Sequence, residues 1–212
     1  MGARTVVLLA GLALAACTRV TDTPQPQPVA PVAPITAGQV RDLLSKKVDD
    51  TDGNLFTTVD PDRCSGVARE VDPPFLVEFD PAAIDGGHWT VHDGSPVYVE
   101  ELVAVYRADY SAPDALSRAK RTLEGCRDTP FTVTDMNGRT YHFGLLPEKP
   151  SGSPDIVLWS FEAADWACDN ALVAAHNAAV VIATCGPAGG LDVAGLAQDA
   201  LQRIETLANT TA

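Results

Sequence analysis

Residues able to do chemistry are few in this chain of 212 residues: four histidines, five cysteines and a scatter of carboxylates. His88 and His92 in DGGHWTVHD stand four apart, which on a helix would bring both rings to one metal. The segment reads as a strand, however, and there residues four apart are separated by about 13 Å along one face. No metal site is expected from them. His142 falls on an alternating strand and His176 in a turn, and both are read as structural. Asp49, Asp50, Asp52 and Asn54 have the look of a calcium loop, but Gly53 is misplaced for an EF-hand and no bidentate glutamate follows at the required spacing. A solvated acidic loop is expected instead. The chain has no G-x-S-x-G, no H-E-x-x-H and no phosphate loop, and its serines, histidines and acids lack the spacing of a triad. No catalytic residue, metal or cofactor is therefore assigned. Trp89, Trp159, Trp166, Tyr98, Tyr106 and Tyr141 carry rings that could line a pocket for an apolar or glycan ligand, although large aromatics serve more often as plain core.

The first cysteine has a chemistry of its own. MGARTVVLLAGLALAAC sets one basic residue, Arg4, before an apolar and small-residue stretch from Thr5 to Ala16. That is the layout of a secretory signal, and it is too short to span a hydrocarbon core of about 30 Å. Leu14-Ala15-Ala16-Cys17 fits the lipobox of bacterial lipoproteins, so residues 1–16 are expected to be removed and Cys17 to take up diacylglycerol. A lipid-bearing cysteine anchors a protein stably when it carries two or three chains. Residues 17–35 include PQPQPVAPVAP, whose prolines fix φ and remove amide donors, giving an extended spacer. The expected location is the outer face of the cytoplasmic membrane, with the membrane itself as one partner through the lipid.

Residues 36–209 suffice for one domain with its own core. The formal charge of −13 becomes −14 when Arg4 leaves, and no basic cluster remains to meet phosphates, so nucleic-acid binding is not expected. Four lysines stand beside eleven arginines, and alanine, valine, proline and aspartate are abundant, a bias that suggests a GC-rich bacterium such as an actinomycete. Cys64, Cys126, Cys168 and Cys185 are an even count in an exported chain and suggest two disulfides.

The elements that must position these residues can be read from periodicity. Thr36 with Gln39 forms a capping box before Val40, Leu43 and Leu44, which predicts a short amphipathic helix. FLVEF, WTVH and VYVEELVAVY predict strands, the last apolar on both faces and therefore central. Ser111 and Pro113 open a helix with Leu116, Ala119 and Leu123 on one face, ending near Gly125 and Cys126. FTVTDM, Asn137-Gly138 and RTYHFGL predict a hairpin with a type I′ turn. PEKPSGSP is a loop, and IVLWSFEA is a strand with Val157, Trp159 and Phe161 on one face. CDNALVAAHNAAVVIATC predicts a second hairpin turning at His176-Asn177, where the asparagine tolerates positive φ. That turn puts Cys168 opposite Cys185 at a non-hydrogen-bonded pair, about 4.5 Å between Cα atoms and within disulfide range. Leu191 and Asp192 open a last helix with Leu196, Ala200, Leu201 and Ile204 as its core stripe.

VDPDRC, the strand and helix of VYVEELVAVYRADYSAPDALSRAKRTLEGC, and CDNALVAAHNAAVVIATCG before a final helix together resemble the extracellular sensor domain of PknH-type actinobacterial receptor kinases, over roughly residues 38–208. The resemblance implies an α+β fold with an antiparallel sheet of about six to eight strands, packed helices, two disulfides and a cleft that receives a ligand. With it, Cys64 pairs with Cys126, the two cysteines that the second hairpin leaves over. Leu123 stands where the resemblance implies a tryptophan, and no kinase motif is present. The function expected is a non-enzymatic envelope lipoprotein that binds a small envelope ligand, with an adaptor for another envelope protein or an envelope hydrolase as alternatives.

Overall fold

Strand-forming segments pair into one antiparallel sheet: β1 (Phe56–Asp60), β2 (Ala83–Val91), β3 (Val97–Val105), β4 (Phe131–Asp135), β5 (Thr140–Leu145), β6 (Ile156–Glu162), β7 (Ala167–Ala175) and β8 (Ala178–Gly186). Their spatial order is β1-β4-β5-β6-β7-β8-β3-β2. The α-helices are α1 (Pro74–Val77), α2 (Ala112–Cys126) and α3 (Val193–Thr211), with 3-10 helices at Ala37–Leu43 and Asp62–Cys64. This computed structural model describes residues 34–49, 56–68, 70, 72–187 and 191–211. The signal, Cys17, the tether up to residue 33 and Asp50, Asp52 and Asn54 of the acidic loop lie outside the described residues.

The sheet carries a core on each face, as an apolar strand on both alternations requires. On β3, Val99, Val103 and Val105 face α3 and the opening 3-10 helix, while Leu102 and Ala104, with Tyr106 just past the strand, belong to the core under α1 and α2. The strand is interior, paired with both β2 and β8. α2 starts where the serine cap places it, with Ser111 Oγ accepting from the Asp114 N–H at 3.4 Å. Its buried residues include Leu116, Ala119 and Leu123. On α3 the buried stripe is Val193, Ala197, Ala200, Ile204 and Ala208. Leu196 and Leu201 pack beside it only partly buried, because the small alanines let the helix lie close on β7 and β8.

Four local expectations are corrected. FLVEF is not a strand: Pro73 and Pro74 preset φ and lack amide donors, and Pro74 takes the first position of α1. The opening helix is 3-10 throughout, although the Gln39 side chain does accept from the Thr36 N–H at 2.9 Å. In the β4–β5 hairpin the pairing is Thr134 with Thr140, and Asp135 closes a three-residue loop of Met136, Asn137 and Gly138. Only Gly138 there has positive φ, at 77°, so the turn is not type I′. In the β7–β8 hairpin the positive φ of 51° falls on His176 rather than on Asn177. Asn177 is buried instead: its Oδ1 accepts from the Ile35 N–H at 3.1 Å, and its Nδ2 donates to the carbonyls of Ile35 and Tyr106, each at 2.8 Å. One amide thus ties the start of the folded chain to the end of the sheet.

Asp135 explains the hairpin's choice of loop. Its Oδ1 accepts from the N–H groups of Asn137 and Arg139, each at 2.8 Å, and its Oδ2 from Tyr141 Oη at 3.2 Å. The Arg139 amide first, then the Asn137 amide, the Tyr141 hydroxyl and the Arg139 charge, hold its carboxyl below the usual carboxylate range. A depressed folded value means that the stabilisation is present above the unfolded value near pH 3.9 and is lost as pH falls through the folded one. Amide exchange at Asn137 and Arg139 should therefore accelerate below about pH 3.9 ahead of the strand amides, and Asp135→Asn should remove that step. A step that persists in the variant would assign it to another group.

Candidate ligand cleft

A concavity between sheet and helix arises where two strands part. β5 pairs with β6 at only Gly144 with Glu162 and Leu145 with Phe161, and the Leu146 N–H then donates to the Ser160 carbonyl at 2.9 Å. Beyond Leu146 the chain leaves β6 and touches it again at a single bridge, Lys149 with Leu158. Three prolines, Pro147, Pro150 and Pro154, and Gly152, at φ 74°, make this segment unable to continue the ladder. α2 crosses above the gap. The floor is apolar, with Leu123, Leu145, Val157 and Trp159, and the rim carries Lys120, Glu124, Arg127 and Glu148. Arg127 Nη2 lies 3.5 Å from Glu148 Oε2, an exposed and weak pair.

This hollow encloses about 20 Å³, room for about one water. A second hollow of about 360 Å³ adjoins it under the β5–β6 segment and shares Lys120, Glu148, Val157 and Leu158 with it. Trp159 forms the inner wall of the first. Its indole Nε1–H donates to the Val67 carbonyl at 2.6 Å, and its ring meets Phe75 edge-on at 5.8 Å. The polar atom of the floor is thus satisfied from behind, and what faces the hollow is hydrocarbon. Lys149 Nζ reaches Asp169 Oδ1 at 3.1 Å, and the same oxygen accepts from the Ser160 hydroxyl.

Both disulfides brace this architecture. Cys64–Cys126 joins the Asp62–Cys64 turn to the end of α2, with Cα atoms 5.5 Å apart. Cys168–Cys185 crosses the β7–β8 ladder at directly opposed residues, with Cα atoms 4.2 Å apart. The groups with shifted protonation lie away from the cleft. Burial pushes Glu101 up against the opposing pull of Arg203 and the Ser45 amide, burial likewise raises Glu70, and it raises the stacked pair Tyr106 and Tyr110.

The residues singled out by type do not converge. His88 sits in β2 opposite Glu100, His142 Nδ1 lies 3.2 Å from Thr132 Oγ1, and His176 Nε2 lies 3.0 Å from Glu205 Oε2. Among the described residues no three of His, Cys, Asp or Glu are grouped to hold a metal ion. Of the six aromatics only Trp159 reaches the cleft. Trp89 belongs to the core on the other face, Tyr98 and Trp166 stack at 5.9 Å, Tyr106 is core and Tyr141 serves the Asp135 hairpin. The rim residues Lys120, Arg127 and Glu148 had no motif to mark them. The usable signal was the loop PEKPSGSP placed after a strand, together with a helix whose apolar face includes Leu123.

Residues 25–203 match the family described as the PknH-like extracellular domain. The chain belongs to this family. Its fold is that of the extracellular domain of PknH from Mycobacterium tuberculosis, whose crystal structure superposes with a TM-score of 0.64 over 85% of this chain and 100% of that one, at 18% sequence identity. No curated protein matches the chain. The PknH-like domain here contains the whole eight-stranded sheet, both disulfides and the cleft.

Proposed function

We propose that this PknH-like domain is the capturing part of an envelope lipoprotein: anchored through lipid on Cys17, held off the membrane by residues 17–35, and binding a small envelope ligand in the cleft between α2 and β6 without chemical turnover. The observation that carries the reading is the cleft itself, a gap in the β5–β6 ladder with a hydrocarbon floor and charged groups confined to its rim. Capture suits such a lining better than catalysis, since its floor offers neither a nucleophile nor a general base. Membership in a family of extracellular domains supports an envelope location.

Anchoring has its own test. Cys17→Ala should leave the precursor uncut by the lipoprotein signal peptidase and without lipid, so that labelled fatty acid is incorporated by the parent and not by the variant. A variant that takes up the label as the parent does would refute the anchor. Capture is tested by native mass spectrometry of the protein purified without denaturant from its own envelope, beside the same protein made without lipid. A reproducible added mass in the first sample alone is expected. A co-purifying protein in its place would favour an adaptor, and turnover of ester or glycan substrates, abolished by one serine, histidine or acidic substitution with the fold intact, would replace capture by hydrolysis.

A further inference from the structure

We infer that the ligand of the cleft is an acidic amphiphile, its anionic head held at Lys120 in the larger hollow and its apolar chain lying in the smaller one, which opens when the strap of residues 146–155 lifts from β6. The inference rests on the cleft being the binding site.

Charge selects the head. The larger hollow carries Lys120 and Lys149 against Glu148, a positive balance in a chain of formal charge −13. Glu148 is already matched by Arg127, and Lys149 by Asp169. Lys120 has no ion-pair partner among the described residues, and it stands where the two hollows meet. Glu124, one turn along α2, lines the smaller hollow alone, so on the side of the larger one the Lys120 ammonium attracts a carboxylate or a phosphate and repels an amine. Leu123, Leu145, Val157 and Trp159 select the tail, because a polar group pushed among them would lose its water and find no partner.

Size requires the strap to move. Ligand cavities run from about 300 to 1,000 Å³, so the larger hollow reaches that range and the smaller, at about 20 Å³, holds no chain while closed. What divides them is held lightly. Past Leu146 the strap meets β6 at one bridge, and its other ties are the Ala174 N–H donating to the Asp155 carbonyl at 3.0 Å, the ion pairs of Lys149 and Glu148, and turns among its own serines. Segments with so few ladder hydrogen bonds open far more readily than the sheet they border.

The test titrates residues 17–212 carrying Cys17→Ser, a chain with neither signal nor lipid, with laurate, lauryl phosphate and laurylamine. The two acids are expected to bind at least about tenfold more tightly than the amine, and Lys120→Glu to reverse the order. Laurate should slow hydrogen exchange across residues 146–155, and Leu123→Trp, which fills the small hollow, should abolish binding. Equal binding of acid and amine, an unchanged affinity for laurate in Lys120→Glu, or no binding of any of the three overturns the acidic amphiphile while leaving the cleft to the added-mass test. Acid-selective binding that Leu123→Trp does not weaken, with exchange in the strap unchanged, overturns the placement and the cleft reading together.

Discussion

Arg203→Ala is expected to cost about 3–5 kcal/mol at neutral pH, the range for removing one partner of a buried ion pair. Glu101 is fully buried between the sheet and the opening 3-10 helix. Its carboxylate accepts from Arg203 Nη2 at 3.0 Å and from the Ser45 N–H at 2.6 Å, while Arg203 Nε donates to the Leu43 carbonyl at 2.8 Å. One guanidinium therefore fastens α3, β3 and the opening helix at a single point. Without it a buried carboxylate keeps a single donor, and its protonation becomes the cheaper state. Burial already raises the Glu101 pKa in the parent, and loss of the arginine raises it further. With the folded value above the unfolded one, the stability is fully present below about pH 4.3 and declines as pH rises through the folded value. Urea unfolding at about pH 4 and about pH 7 should show the variant closer to the parent at the lower pH. A loss below about 1 kcal/mol, equal at both, would show that the clasp contributes little.

The second large effect concerns the disulfides. In the chain-entropy picture, Cys64→Ala with Cys126→Ala should cost about 4 kcal/mol and Cys168→Ala with Cys185→Ala about 3 kcal/mol, since the bonds span 62 and 17 residues. The contacts argue in the same direction. Cys168 and Cys185 sit in a nine-pair ladder that holds them together regardless. Cys64, by contrast, fixes the turn that carries Val67, whose carbonyl satisfies the Trp159 indole behind the cleft. Urea unfolding of the two double variants checks the order, and a larger loss from the Cys168 and Cys185 pair would reverse it.

Much of the fold was legible because periodicity reports burial. The β3 pattern gave both core faces except at Tyr98, which is exposed, and the turn at His176-Asn177 gave the register that sets Cys168 against Cys185. What escaped was decided by single side chains or by prolines. The length and turn type of the β4–β5 loop follow from three hydrogen bonds to Asp135, and the positive φ passed to His176 because Asn177 has three partners to satisfy. FLVEF has strand composition, yet two prolines before Phe75 set its backbone. The cleft was legible only in outline. Its rim residues come from a helix and a loop far apart in sequence, and nothing local in Lys120 or Glu148 announces that a ladder opens between them.

The most direct measurement follows the three indole N–H signals by NMR as a detergent-free extract of the producing envelope is added to the Cys17→Ser chain. Trp159 lines the cleft, Trp89 lies in the core on the opposite face and Trp166 stacks on Tyr98. Binding in the cleft predicts a saturable shift of the Trp159 indole and of the Leu145 and Leu146 amides, with Trp89 unmoved and no response in Leu123→Trp. Saturable shifts confined to Trp89 or Trp166, with Trp159 unchanged, would contradict the account.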